Sequence, residues 1–323
     1  MYLAMPLQTL TEAVVMNDTT EVHIKPFQTS VTALLSLLPC LLFLYVNSVM
    51  VFALLRKPLL LECSRYMLFG HLLFTDSLQL IVTMLLYIFA VTMVKMISYV
   101  CIIFTLLAAI TVKMSPLNLA VMSLERYVAI CFPLRHANIA TSRTTAIAIA
   151  FMWIVASLES CIQFFLFVSL ENTSFTVKRV CTRSSVYRVQ VYITLNRVFT
   201  IMYFVLVSVI IIYTYIAIMI TARSASSSVR NADKAHKTVL LHLLQLCLCL
   251  TSTLFNMINS SALLNLNPAI AIHIQYILFL GLIIFPKCLS PLIYGLRDQT
   301  FRHVFKYYLT FGLKTTVRPF PKF

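Results

Sequence analysis

Seven apolar runs divide this chain, at about Ser30–Leu55, Glu62–Val91, Ser98–Cys131, Thr141–Val168, Gln190–Ala222, Ala232–Leu263 and Ala269–Leu296. Each exceeds the ~20 residues that a helix needs to cross ~30 Å of hydrocarbon. Hydrocarbon offers no water to backbone N–H and C=O groups, so runs of this kind must close their hydrogen bonds internally, as helices. The chain is 11% charged, against about 25% in soluble domains. The predicted fold is all-α: a seven-transmembrane helix bundle over residues 29–296, preceded by an N-terminal tail, 1–28. After it, Asp298 to Tyr308 places Phe301, Val304, Phe305 and Tyr308 on one face and Arg302, His303 and Lys306 on others. That pattern predicts a short amphipathic eighth helix, 297–309, lying on the inner membrane surface ahead of a tail, 310–323.

The net charge of +15 is distributed by side. Alternate loops and the C-terminal region hold Arg56, Lys57, Arg65, Arg135, Arg143, Arg223, Arg230, Lys234, Lys237, Arg297, Arg302 and Lys306. The opposite side holds Lys25, Lys95, Lys178, Arg179, Arg183 and Arg188. The excess predicts an extracellular N-terminus and a multi-pass protein of the plasma membrane. Basic residues flanking apolar runs point to the lipid membrane as a partner, and not to nucleic acid. No signal-peptide core precedes the first run, which is therefore expected to target the chain. Asn17 and Asn172 begin glycosylation sequons on the outer side. Asn259 begins another by spelling, but inside the sixth run. Four Gly argue against phosphate-cradling loops, and nine Cys form no Cys-x-x-Cys pair. No metal and no cofactor are expected.

The third run ends Met122-Ser123-Leu124-Glu125-Arg126-Tyr127-Val128-Ala129-Ile130-Cys131-Phe132-Pro133-Leu134-Arg135. Charges inside a membrane helix gather at its ends or in pairs. Here Glu125 neutralises Arg126 in a resting state, and a partner protein competes for the arginine later. This stretch resembles the Asp/Glu-Arg-Tyr motif of rhodopsin-like G-protein-coupled receptors. With the following Ala-Ile-Cys-x-Pro-Leu-Arg-His it is most similar to odorant receptors, in particular a fish odorant-receptor-like branch. The seventh run supports the resemblance with Ser290-Pro291-Leu292-Ile293-Tyr294, similar to the family's Asn-Pro-x-x-Tyr with Ser290 in place of Asn. Pro291 permits a bend, and Tyr294 can exchange partners across it.

The resemblance implies further roles. Cys101 and Cys181 match the family's disulfide, and both face an oxidising compartment. The bond would pin the loop as a lid. Asn47, Asp76 and Ser115 match the buried polar core, Asp76 and Ser115 being the family's sodium-binding pair. Lys287, one turn before Pro291, is expected to face Asp76 and replace the ion. Tyr213 or Tyr215 is the tyrosine that reaches Arg126 on activation. Lys113 and Glu159, both mid-helix, form a structural ion pair, or Lys113 lies at the floor of the ligand site. The other cysteines singled out, Cys40, Cys131, Cys161, Cys247, Cys249 and Cys288, read as buried small hydrophobes. Ligand-wall candidates on the third run are Phe104, Thr105, Ala108, Ala109 and Val112. Polar candidates elsewhere are Asn196, Arg197, Thr200, Tyr203, Asn256, Asn259, His273 and Tyr276, in a mostly apolar pocket.

The expected function is odorant sensing: a small-molecule odorant shifts a two-state bundle, which engages a heterotrimeric G protein of the olfactory, stimulatory type. A non-olfactory receptor of the same class is the alternative. The sixth run lacks the family's Cys-Trp-x-Pro and reads Leu246 to Ser252 instead, so a rotamer switch there is not expected. A retinal photoreceptor is disfavoured, because Lys287 lies too close to Pro291 and Phe104 stands where a counterion would. A transporter or channel lacks repeats and broken helix pairs. No nucleophile–base set marks an enzyme.

Overall fold

The computed structural model describes residues 26–56, 62–92, 94–170, 178–181, 190–224 and 247. The sixth run apart from Cys247, the seventh run, the amphipathic stretch, the C-terminal tail and residues 1–25 lie outside the described residues. So do Asn17, Asn172, Asn256, Asn259, His273, Tyr276, Lys287, Pro291 and Tyr294. Residues 26–28, expected in the N-terminal tail, belong to the first helix.

Helices form where the first five runs stand. They are α1 (Pro26–Leu55), α2 (Ser64–Val91), α3 (Ser98–Cys131), α5 (Ser142–Leu170) and α6 (Gln190–Ser224). All five are long and apolar enough to cross a membrane. Prolines fall inside two of them, Pro39 in α1 and Pro116 in α3. Neighbouring helices make such interruptions tolerable in membranes.

Helix α3 is the hub, packing against α2, α5 and α6, while α2 also packs against α1 and α5. Two apolar clusters run along it. One, toward the Arg126 end, gathers Met50 and Leu54 of α1, Leu72 of α2, Met114 and Leu119 of α3, and Met152 of α5. The other, toward the Cys101 end, gathers Val82, Leu86, Ile102, Leu106, Phe167 and Tyr192. The opposite faces of the outer helices expose Leu42, Phe151, Ile154, Phe165 and Val209. Large exposed apolar patches would be a liability in water, whereas hydrocarbon solvates these faces as well as it does the lipid tails themselves.

Three features go beyond the sequence reading. A two-stranded antiparallel ribbon pairs β1 (Lys95–Ile97) with β2 (Lys178–Val180), so the long loop is not wholly irregular. Its register is Lys95 with Val180, Met96 with Arg179 and Ile97 with Lys178. A short helix, α4 (Pro133–Ile139), follows α3 directly, in a connection for which the sequence reading named no element. Pro133 stands in its first turn, where a missing N–H costs nothing and the fixed φ suits a helix. Finally, Thr141 caps α5, its hydroxyl accepting the Thr144 N–H at 3.2 Å.

The cysteines require a correction. Cys40 is buried, but Cys161 and Cys247 are exposed and Cys131 is only half-buried. A thiol is apolar enough to face hydrocarbon, so an apolar run does not tell a buried cysteine from a lipid-facing one. Cys63, which the sequence reading passed over, is exposed in the connection before α2.

Helices α1 and α2 approach closely at Gly70, where an added Cβ would meet Leu54 Cδ2 at 2.7 Å. The tip of a leucine can yield, and alanine gains up to about 1 kcal/mol of helix propensity over glycine. Gly70→Ala is therefore expected to stay within about 1 kcal/mol of the parent, whereas the branched Gly70→Val loses about 1–3 kcal/mol through overpacking. Thermal unfolding of the two variants in detergent micelles checks this; equal losses would remove the close-approach explanation.

Candidate functional site

Polar groups are strung along α3 in four zones. At its last turns, Glu125 is held from two sides. Arg126 Nε lies 3.5 Å from Glu125 Oε2, and His136 Nε2 of α4 lies 3.4 Å from Glu125 Oε1. The sequence reading named the first contact and missed the second, which depends on α4 folding back. Arg126 Nη2 is buried and has no hydrogen-bond partner among the described residues. Glu125 thus satisfies the guanidinium only in part. Tyr127 packs its ring against Phe132 and Tyr213, with centroids 5.7 and 5.8 Å away. Tyr213 is exposed on α6, and Tyr215 is half-buried.

Farther along, Ser115 Oγ donates to Asp76 Oδ1 at 2.5 Å, and both residues are buried. Asn47 is buried as well, with its Oδ1 unpartnered among the described residues. Beside them is a relay across three helices that the sequence reading missed. Trp153 Nε1 of α5 lies 3.0 Å from His71 Nε2 of α2. His71 Nδ1 lies 3.0 Å from Asn118 Oδ1 of α3. An indole N–H can only donate, so His71 Nε2 is the acceptor and Nδ1 carries the proton that it donates to Asn118. This fixes one neutral tautomer. A histidine and an asparagine inside apolar runs were the available signal, since buried polar groups require partners.

The third zone is ionic. Lys113 Nζ lies 2.6 Å from Glu159 Oε2, and Glu159 Oε1 accepts Gln163 Nε2 at 2.7 Å. Glu159 and Gln163 are one turn apart on α5, which puts them on one face. Lys113 also sits over the Tyr203 ring, 5.4 Å from its centroid, and the Tyr203 hydroxyl donates to the Val155 carbonyl. The cluster therefore joins α3, α5 and α6. Either charge alone at the centre of a membrane would cost ~2.5–3.5 kcal/mol.

The fourth zone is the Cys101 end. Cys101 and Cys181 form a disulfide with Cα atoms 5.6 Å apart, attaching the residue after β2 to the first turn of α3. Of the ligand-wall candidates, Thr105, Ala108 and Ala109 are buried, and Phe104 and Val112 are half-buried. Phe104 stacks edge-on against Phe89 of α2 at 5.8 Å, and the Thr105 hydroxyl returns to the Ile102 carbonyl at 2.8 Å. On α6 the inward stripe runs through Tyr192, Thr200, Val207 and Ile211. Asn196 and Tyr203 are half-buried along it, but Arg197 lies off the stripe and is exposed.

A bundle hub with an acid–arginine–tyrosine triplet at one end and a disulfide-tethered ribbon at the other defines a membrane receptor. The sequence profile of the 7 transmembrane receptor (rhodopsin family) matches residues 46–294, and the chain belongs to that family. It is 34% identical over 279 residues to Odorant receptor 131-2 of Danio rerio, which covers 84% of each chain. A stretch of 45 residues, 14% of each chain, is 44% identical to Olfactory receptor 2M5 of Homo sapiens.

Removing one member of a buried ion pair strands the other, typically at about 3–5 kcal/mol, whereas replacing both with apolar residues is often neutral. Lys113→Met and Glu159→Met are each expected to lose about 3–5 kcal/mol of stability, and the double variant to recover most of it. A double-mutant cycle of thermal unfolding in micelles measures this; additive losses would show that the two charges are not coupled.

Proposed function

We propose that this protein is a chemosensory receptor that converts binding of a small odorant into activation of a heterotrimeric G protein. The similarity to Odorant receptor 131-2 across 84% of both chains carries this reading. The part-satisfied Arg126 supports it mechanistically. A guanidinium with a buried, unpartnered Nη2 is available to an incoming acceptor once Glu125 lets go. In this reading Lys25 and the Cys101 end lie outside the plasma membrane, and Arg126 lies at the cytoplasmic face. Pro291 and Tyr294 adjust as the bundle opens, and Tyr215 or Tyr213 approaches Arg126. The stretch 297–309 lies on the inner surface, and Asn17 and Asn172 carry glycans. Lys287 supplies the cation beside Asp76, so ligand potency is insensitive to sodium; a sodium effect abolished by Asp76→Asn would defeat that assignment.

The decisive test is a cAMP reporter in cells that co-express an olfactory, stimulatory G-protein alpha subunit, screened against water-soluble and volatile odorants. The expected result is a ligand-dependent signal that Arg126→Ala removes with surface expression unchanged. A signal carried by a different G protein would place the chain among non-olfactory receptors of the family.

Because His136 shares the Glu125 carboxylate with Arg126, His136→Phe is expected to raise ligand-independent signalling at equal surface expression. His136→Gln, which keeps a donor, is expected to raise it less. Unchanged basal signalling in both variants would show that α4 does not hold the lock.

A further inference from the structure

The ion pair of Lys113 and Glu159 is unevenly satisfied. Glu159 engages both oxygens: Oε2 meets Lys113 Nζ at 2.6 Å, and Oε1 accepts Gln163 Nε2 at 2.7 Å. An ammonium carries three N–H donors and no acceptor. Among the described residues, Glu159 is the one oxygen partner of Lys113 Nζ, which is buried. The Tyr203 ring covers part of the ammonium, 5.4 Å away, but the Tyr203 hydroxyl is committed to the Val155 carbonyl. Buried polar groups require partners, and in this cluster the shortage is of acceptors.

Its charge, by contrast, is already closed. Ser115 follows Lys113 by two residues and so faces another side of α3. Asp76, which Ser115 holds, therefore belongs to a different zone. Glu125 lies at the far end of α3 with Arg126 and His136. Apart from Asp76, Glu125 and Glu159, every Asp and Glu of the chain lies at or beyond the ends of the seven apolar runs. One ammonium thus faces one carboxylate. An added anion or cation would leave an excess charge here, as costly as a lone charge inside a membrane helix. A neutral acceptor adds none.

The pair is also placed where a ligand can be met. At about 1.5 Å per residue, Lys113 lies about 18 Å along α3 from Cys101, directly after the wall candidates Phe104 to Val112. Helical side chains lean toward the N-terminus of their helix, which in α3 is the Cys101 end. One and two turns in that direction on the same face stand Ala109 and Leu106, both members of the outer apolar cluster. Ala109 puts only a methyl group between the ammonium and that end.

We infer that Lys113 is the specificity-determining residue for a neutral odorant that carries a carbonyl group. The carbonyl oxygen accepts an ammonium N–H beside Glu159, and the apolar chain of the ligand runs past Ala109 toward the Cys101 end. A bond from a charged donor is stronger than one between neutral groups, so a single acceptor gives the ligand its orientation. Glu159 is a positioning residue that holds the ammonium in place. This rests on the receptor reading above and deepens it by naming the ligand class.

The test uses the full-length receptor in the reporter cells. The probes are straight-chain methyl ketones and the alkenes of the same skeleton, in which a CH2 group replaces the carbonyl oxygen. Carboxylates and primary amines of equal length complete the panel. The ketones are expected to be about tenfold or more as potent as the alkenes, the difference that one charged hydrogen bond makes, and more potent than the acids and amines. Lys113→Arg, which keeps the charge, is expected to keep part of the ketone preference. The double variant Lys113→Met with Glu159→Met removes both charges together and is expected to fold; in it the gap between ketone and alkene is expected to close. A purely structural ion pair would leave that gap intact. Surface staining and thermal unfolding in micelles control for folding.

Equal potency of ketones and alkenes on the parent receptor overturns the inference, and this comparison needs no variant. So do acids or amines more potent than ketones, or a ketone preference that survives in the double variant. Silence to every ketone also overturns it; if Arg126-dependent basal signalling persists, the receptor reading survives alone. Absence of both, with the protein at the cell surface, defeats the receptor reading and this inference with it.

Discussion

Inside hydrocarbon a polar side chain must find its partner within the protein, on its own helix or another, because no water will supply one. Most of this architecture follows from how α3 meets that requirement. It sends Ser115 to Asp76 and Asn118 to His71 on α2, and Lys113 to Glu159 on α5. Apolar contacts alone would let these helices slide, since lipid tails solvate leucine as well as a neighbouring helix does. Directional bonds from one helix to several others remove that freedom. The His71 tautomer is part of the same constraint: it accepts from α5 and donates to α3, so the ring serves as a connector with one permitted orientation.

The bonds are not uniform along the helix. Short contacts occupy its middle, where Lys113 meets Glu159, Ser115 meets Asp76, and Trp153, His71 and Asn118 form a relay. At the Arg126 end, pairing is looser, with contacts of 3.4 and 3.5 Å to Glu125. A bundle that must switch needs its rigidity and its weak points in different places. The middle of α3 supplies the first and its last turns the second.

Much of this was legible in the sequence, and the reasons for the rest are physical. Membrane helices announce themselves by length and hydropathy, so α3 begins and ends where the apolar run does, at Ser98 and Cys131. The lone charges Lys113 and Glu159 were recognisable as a candidate pair because each is too costly to stand alone. The relay of His71, Asn118 and Trp153 was harder to see. Its members are separated by 47 and 82 residues in sequence, and no periodicity links them. The β1–β2 ribbon was missed for a related reason: strands of three residues carry no pattern, and the paired residues lie far apart in sequence. Helical spacing alone also cannot say which face of α6 turns inward, which is why Arg197 stood beside Thr200 among the candidates.

The Lys113–Glu159 pair has a consequence for how the protein is made. Glu159 follows Lys113 by 46 residues, and chains are synthesised at about 5–20 residues per second. For several seconds the third segment therefore exists without the carboxylate that Lys113 meets in the folded bundle. Arrival of the fourth segment ends that interval. The pair thus ties the fourth segment to the third: the charge that Lys113 brings into the bundle is balanced only once α5 packs beside α3.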